Sequence, residues 1–130
     1  MKIFFLLLAV ATPIAAQVPA DSQNVRAQVV AAGAAAVGAR PLTDMTWFRA
    51  DLRAAALAVA AELRRIQDDP NEFYVTLEPH GPGPVVVFHL WHRSAFYPEN
   101  ANVDGNPGGQ SIDLWYDLQR RAITRRLAWQ

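Results

Sequence analysis

The residues able to do chemistry cluster in the second half of the chain. His89-Leu90-Trp91-His92 sets two imidazoles three residues apart. On an extended strand, residues three apart point to opposite faces, so this pair does not converge on a metal without a bulge. The same alternation groups His89, Trp91 and Arg93 on one half-exposed face and gives Phe88 and Leu90 to a core. Trp and Arg dominate interface energetics, so that face reads as a partner surface. Glu78 and His80 lie close together at a strand end, where a general base would carry no recognisable motif. Ser94 and Ser111 lack the glycines of a nucleophile elbow. Gly105, Gly108 and Gly109 precede a strand rather than a helix, so they do not form a phosphate cradle.

The stretch Asn100-Ala101-Asn102-Val103-Asp104-Gly105 has the odd-position oxygen spacing of a calcium loop, with Gly in sixth place. It departs from that pattern at its first position, Asn for Asp, and at its twelfth, where Ser111 replaces a bidentate Glu. Turn-forming Asn, Asp, Gly and Pro account for the loop, which closes on Gly108-Gly109. The chain has no Cys, which excludes disulfides, thiolate nucleophiles and Cys-ligated metals. No cofactor and no metal is expected. With 12 Lys+Arg against 12 Asp+Glu there is no basic excess to neutralise phosphates, so a general nucleic-acid binder is not expected either.

Several elements must position these groups. Phe48, Leu52, Ala55, Val59, Leu63 and Ile66 recur at steps of three and four, which predicts an amphipathic helix over 44–67, capped by Thr43 or Asp44 and stopped by Asp68-Asp69-Pro70-Asn71. From Phe73 the period becomes two. Phe73, Val75 and Leu77 mark a first strand, and Val85–Arg93 a second, Val-rich and covered on both faces in its first half. Residues 98–110 form a long turn-rich loop. Ile112, Leu114, Tyr116 and Leu118 mark a third strand, alternating with Asp113, Trp115 and Asp117. Ala122–Gln130 is a fourth, with Ile123, Arg125, Leu127 and Trp129 on one face. Trp91 and Trp115 then share the outer face of neighbouring strands. One long helix on a four-stranded antiparallel meander is a two-layer α+β fold. Residues 17–42 read as a leader or a short Ala-rich helix, weakened by Gly33 and Gly38. A leader there would cover the Trp91/Trp115 face.

Met1-Lys2, the apolar run Ile3–Ala11 and the small residues to Ala16 read as a secretory signal peptide, cleaved after Ala16 or alternatively after Ala20. The run is too short for a stable membrane anchor. Cleavage at Ala16 leaves residues 17–130 and removes the only Lys. In an oxidising compartment without Cys, such a chain stands on its core alone. The expected location is the periplasm or the exterior of a bacterium, with residues 43–130 as one α+β domain.

From the helix to the C-terminus the chain resembles small bacterial domains of NTF2-like immunity, PepSY-like or cystatin-like type. The resemblance is carried by the helix 44–67, the Val-rich strand 85–91, the loop closing on Gly108-Gly109, and strand–turn–strand to the end of the chain. In the NTF2-fold immunity family a Gly-Gly precedes a strand and a polar two-strand hairpin finishes the protein. Here that hairpin is Ile112-Asp113-Leu114-Trp115-Tyr116-Asp117, then Gln119-Arg120-Arg121 and Ile123. The family's Asp–Lys–Thr–Gly style turn is changed, because Asp117 is present and the Gly is absent. The resemblance implies a protein that binds and neutralises a toxin, or a secreted inhibitory or sensory module. It supplies no catalytic residues.

Together these readings point to an exported, non-catalytic protein that binds another protein, a toxin or an enzyme. Its expected contact residues are His89, Trp91, Arg93, Asp113 and Trp115, with the loop residues Asn100, Asn102, Asp104, Gly108 and Gly109. The alternative is a small-molecule or hydrolytic pocket on the sheet face, with His80, His89, His92 and Glu78 at its mouth.

Overall fold

The computed structural model describes residues 20–102 and 109–129. The expected signal peptide, residues 1–16, and the loop residues Asp104 and Gly108 lie outside them. Among the described residues there are two α-helices and five strands: α1 (Ala20–Ala36), β1 (Arg40–Pro41), α2 (Ala50–Arg65), β2 (Phe73–Pro79), β3 (Val85–His92), β4 (Ile112–Asp117) and β5 (Ala122–Ala128). The strands form one antiparallel sheet in the order β1-β2-β3-β4-β5. The architecture is α+β with a meander sheet. The expected single helix and four strands become two and five, because α1 and the two-residue β1 arise in the weakly patterned stretch before residue 43.

Helix α2 begins later than the apolar period suggests. Asp44 Oδ1 accepts from Thr46 N–H and caps a single 3-10 turn over Met45–Trp47. Phe48 is extended, so it reaches the core from outside the helix. The stripe Leu52, Ala55, Ala56, Val59, Ala60 and Leu63 is buried. The helix stops at Arg65, where Gln67 takes a positive φ of 66° and Asp68 N–H bonds back to Leu63 O at 2.8 Å. That stripe lies on one face of the sheet, against Phe73, Val75, Phe88, Leu90, Leu114 and Tyr116.

β3 is the middle strand, which is why its Val-rich start needs cover: Val87 and Phe88 are both buried. It ends at His92. Arg93 leaves the strand in a 3-10 turn over Arg93–Phe96, so it does not continue the row of His89 and Trp91 as its parity suggested. β5 carries a bulge. Trp115 pairs with Arg125 and Tyr116 with Ile123, which leaves Thr124 as the extra residue. Ile123 therefore packs with the core, while Arg125 and Leu127 fall on the opposite face. The expectation of one shared face for Ile123, Arg125 and Leu127 fails at that single residue.

Helix α1 is Ala-rich and lies by the turn after β3. Val30 and Ala34 are buried. A Cβ on Gly33 would stand 3.1 Å from Phe96, so the glycine is what lets the helix lie there. Gly38, at φ +73°, ends it, with Ala39 N–H bonding to Ala34 O at 2.9 Å. The two glycines that weaken the helix by propensity are the ones that dock it and stop it. No helix among the described residues is long and apolar enough to cross a membrane.

Candidate functional site

The sheet face turned away from α2 carries the chemistry. Register sets Thr76 opposite His89, His89 opposite Asp113, and Asp113 opposite Leu127 across four strands. One step along, Val87 lies opposite Trp115 and Trp115 opposite Arg125. Trp91 sits at the other end of this face, opposite Tyr74.

His89 holds the centre. Its Nδ1 lies 2.7 Å from Asp113 Oδ1 and its Nε2 2.7 Å from Glu78 Oε2. Only an imidazolium donates to an acceptor at both nitrogens. Burial works against that charge, but the hydrogen bonds and charges of Glu78 and Asp113 outweigh it and hold the His89 pKa above its ordinary value. Asp113 is also reached from the residue that follows β5, since Trp129 Nε1 donates to the same Oδ1 at 2.6 Å. Glu78, His89, Asp113 and Trp129 thus form a continuous polar chain across the sheet.

Aromatic rings flank the chain on both sides. Trp91 meets Trp129 edge to face at 4.7 Å between centroids and stacks on Phe96 at 5.8 Å. Its Nε1 donates to Thr76 Oγ1 at 3.2 Å. At the far end the Arg125 guanidinium lies over the Trp115 ring at 4.6 Å, and His80 meets that ring edge-on. The Trp115 indole nitrogen is shielded from solvent and has no hydrogen-bond partner. Trp91 and Trp115 do share this face, but His89 and Asp113 stand between them. Helix α1 covers only one corner, where Gly33 seats Phe96 and Phe96 in turn meets Tyr74 and Trp91.

The other expected residues disperse. His92 turns to the opposite face, edge-on to Phe73. Its Nδ1 accepts from Ser94 N–H, with Ser94 Oγ also at 2.7 Å, and burial keeps its pKa below the ordinary value. Arg93 lies near Glu72 and the Tyr97 ring. Asn100 donates to Ser94 O at 2.7 Å, so its amide braces the loop, and Asn102 is exposed. Gly109 adopts a φ of +71° at the loop's return to β4.

Of the four groups expected at a pocket mouth, Glu78 and His89 touch, on the open face of the sheet. Among the described residues, two clefts lie away from this face. One of about 440 Å³ runs between α1 and the β1 edge by Arg40 and Asp44, and another of about 390 Å³ lies at the start of α2 by Asp51 and Arg121. The two carboxylates take opposite sides of the His89 ring and share no common point. Among the described residues no group of three or more His, Asp or Glu side chains is placed to hold a metal ion.

Trp129, Arg125 and Thr76 complete the site without having been singled out for it. Strand parity could have found Thr76, but Arg125 and Trp129 depend on the bulge at Thr124, which leaves no mark in the pattern. Comparison with protein-family models, curated proteins and solved structures returns no match.

Proposed function

We propose that this is an exported, non-catalytic bacterial protein that binds another protein through the outer face of its sheet, with immunity against a toxin or inhibition of an enzyme as its concrete role. The observation that carries this reading is the face itself. Trp91, Trp129, Trp115 and Arg125 surround a fixed charged centre, and exposed Leu127 lies among them. Large aromatic rings beside Arg on a rigid sheet are the residue types that anchor protein interfaces. The chemistry of the centre supports binding over catalysis. A general base needs a free nitrogen lone pair, and both nitrogens of His89 are engaged by carboxylates. The apolar run at residues 3–11 supports export, and the resemblance to small immunity domains supports the role.

The test is capture from the envelope and culture supernatant of the host by tagged wild-type chain, Trp91→Ala and Trp115→Ala. A partner retained by the wild type and lost or reduced about tenfold in the variants supports the reading. Capture unchanged by both substitutions, or no partner at all, overturns it.

A further inference from the structure

We infer that β5 is a docking edge for an acidic, extended segment of a partner protein, which adds to the sheet as a sixth strand. The inference rests on the reading that this chain binds a protein, and it names where and by what chemistry.

Three observations carry it. First, among the described residues β5 is an edge of the sheet and pairs with β4 alone, and all of its residues except Ile123 are exposed. Alternate peptide groups along it therefore offer unpaired N–H and C=O groups to a further strand. Its sequence contains no Pro to block such pairing. Second, Arg120, Arg121, Arg125 and Arg126 fall within seven residues, and residues 118–130 contain no Asp or Glu. This concentration stands out in a chain of zero net charge. Third, the cations are unequally used. Arg126 pairs with Glu62 of α2 and Arg120 approaches Asp117 at 3.8 Å. Among the described residues no carboxylate lies within ion-pair distance of Arg121 or Arg125, and the Arg125 guanidinium is held over Trp115.

The charge decides between occupants. A second copy pairing antiparallel through the centre of β5 would set Arg125 against Arg125 of its twin, or Arg126 against Arg126, and like charges opposite one another destabilise a strand pair. A strand carrying Glu or Asp reverses that sign. An oligonucleotide would satisfy the arginines but not the row of peptide groups.

The test uses the full chain, 15N-labelled, with a ten-residue peptide alternating Glu and Val, a matching Lys–Val peptide, and an oligothymidylate of ten nucleotides. The Glu–Val peptide is expected to shift β5 resonances and slow amide exchange in Ala122–Ala128, and to bind about tenfold more weakly as salt rises from about 0.05 to about 0.5 M. Arg121→Glu/Arg125→Glu, its fold checked by amide dispersion, is expected to lose this peptide by a similar factor and take the Lys–Val peptide instead. Equal binding of both peptides by the wild type, unprotected β5 amides, or a preference for oligothymidylate overturns the inference. So does concentration-dependent dimerisation that protects β5 without peptide. If the peptide fails while capture still depends on Trp91 and Trp115, the edge is not the site and the outer face stands as the binding surface.

Discussion

His89 and His92 are three residues apart on one strand and meet opposite surroundings. His89 faces acceptors on both ring nitrogens, and His92 accepts the Ser94 N–H at Nδ1. Their pKa values move apart accordingly: that of His89 is raised by Glu78 and Asp113 against the effect of burial, and that of His92 is lowered by burial. The signs give two opposed contributions to stability. For His89 the contribution is complete below the unfolded value of about 6.5 and is lost as pH rises through the higher folded value. For His92 the contribution is complete above about 6.5 and is given up as pH falls toward the lower folded value. Proton NMR titration of the two rings should place His89 above His92, and the reverse order would refute both assignments. His89→Gln should flatten the loss of melting temperature on the alkaline side of this window and leave the acid side unchanged. Asp113→Asn tests the same chain from its other end. It should lower the His89 pKa and cost about 1–3 kcal/mol in urea unfolding, because it weakens the bonds to both His89 and Trp129.

At the scale of elements, two small features decide which faces meet. Gly33 lets α1 lie against Phe96, so Gly33→Leu should lift the helix from it and cost about 1–3 kcal/mol, while Ala32→Leu on the exposed side should cost little. Hydrogen exchange should show the loss confined to α1 and the Arg93–Phe96 turn, since the core of α2 lies on the other face of the sheet. Thr124 is the extra residue of β5. Deleting it joins Ile123 and Arg125 in regular pairing with Tyr116 and Trp115, so the chain should still fold and Trp129 should keep its contact with Asp113. Deleting Arg126 instead shifts Leu127 and Trp129 to the wrong face and should abolish the fold. These features also mark how far the sequence could be read. The alternation of Phe73, Val75 and Leu77, and the three-four spacing of Leu52, Val59 and Leu63, expose the sheet and α2 because burial imposes those periods directly. Helix α1 is obscured because alanines fill its buried and exposed sides alike. The chain Glu78–His89–Asp113–Trp129 joins three strands and the residue after β5, and no local period encodes which residues of separate strands stand opposite. Parity placed His89, Trp91, Asp113 and Trp115 on one face, but only the register shows that the two tryptophans are held apart.

Across the whole molecule, the open edge of the sheet is fastened to α2 through one carboxylate. Glu62, whose side chain is 12 % exposed, accepts two hydrogen bonds from Arg65 of its own helix and pairs with Arg126 of β5. Arg126 reaches it because strand alternation sends Arg125 and Arg126 to opposite faces, one to Trp115 and one to the helix. The hydrogen bonds from Arg65, reinforced by the charges of Arg126 and Arg65, hold the Glu62 pKa below the ordinary carboxylate value. Its contribution to stability is therefore present above the unfolded value and lost as pH falls through the lower folded value, the reverse of His89. Glu62 therefore acts on the acid side, where His92 also gives up its contribution, and His89 acts on the alkaline side. Glu62→Gln separates them. It keeps the side chain's volume but removes the charge that draws Arg126 to the helix. Chemical denaturation at neutral pH should show a loss of stability, and the difference from wild type should close as pH falls below about 4. Amide exchange should quicken in β5 before β2 or β3, because among the described residues β5 has a neighbouring strand on one side only. Uniform quickening across the sheet would mean that Glu62 supports the core as a whole rather than its edge.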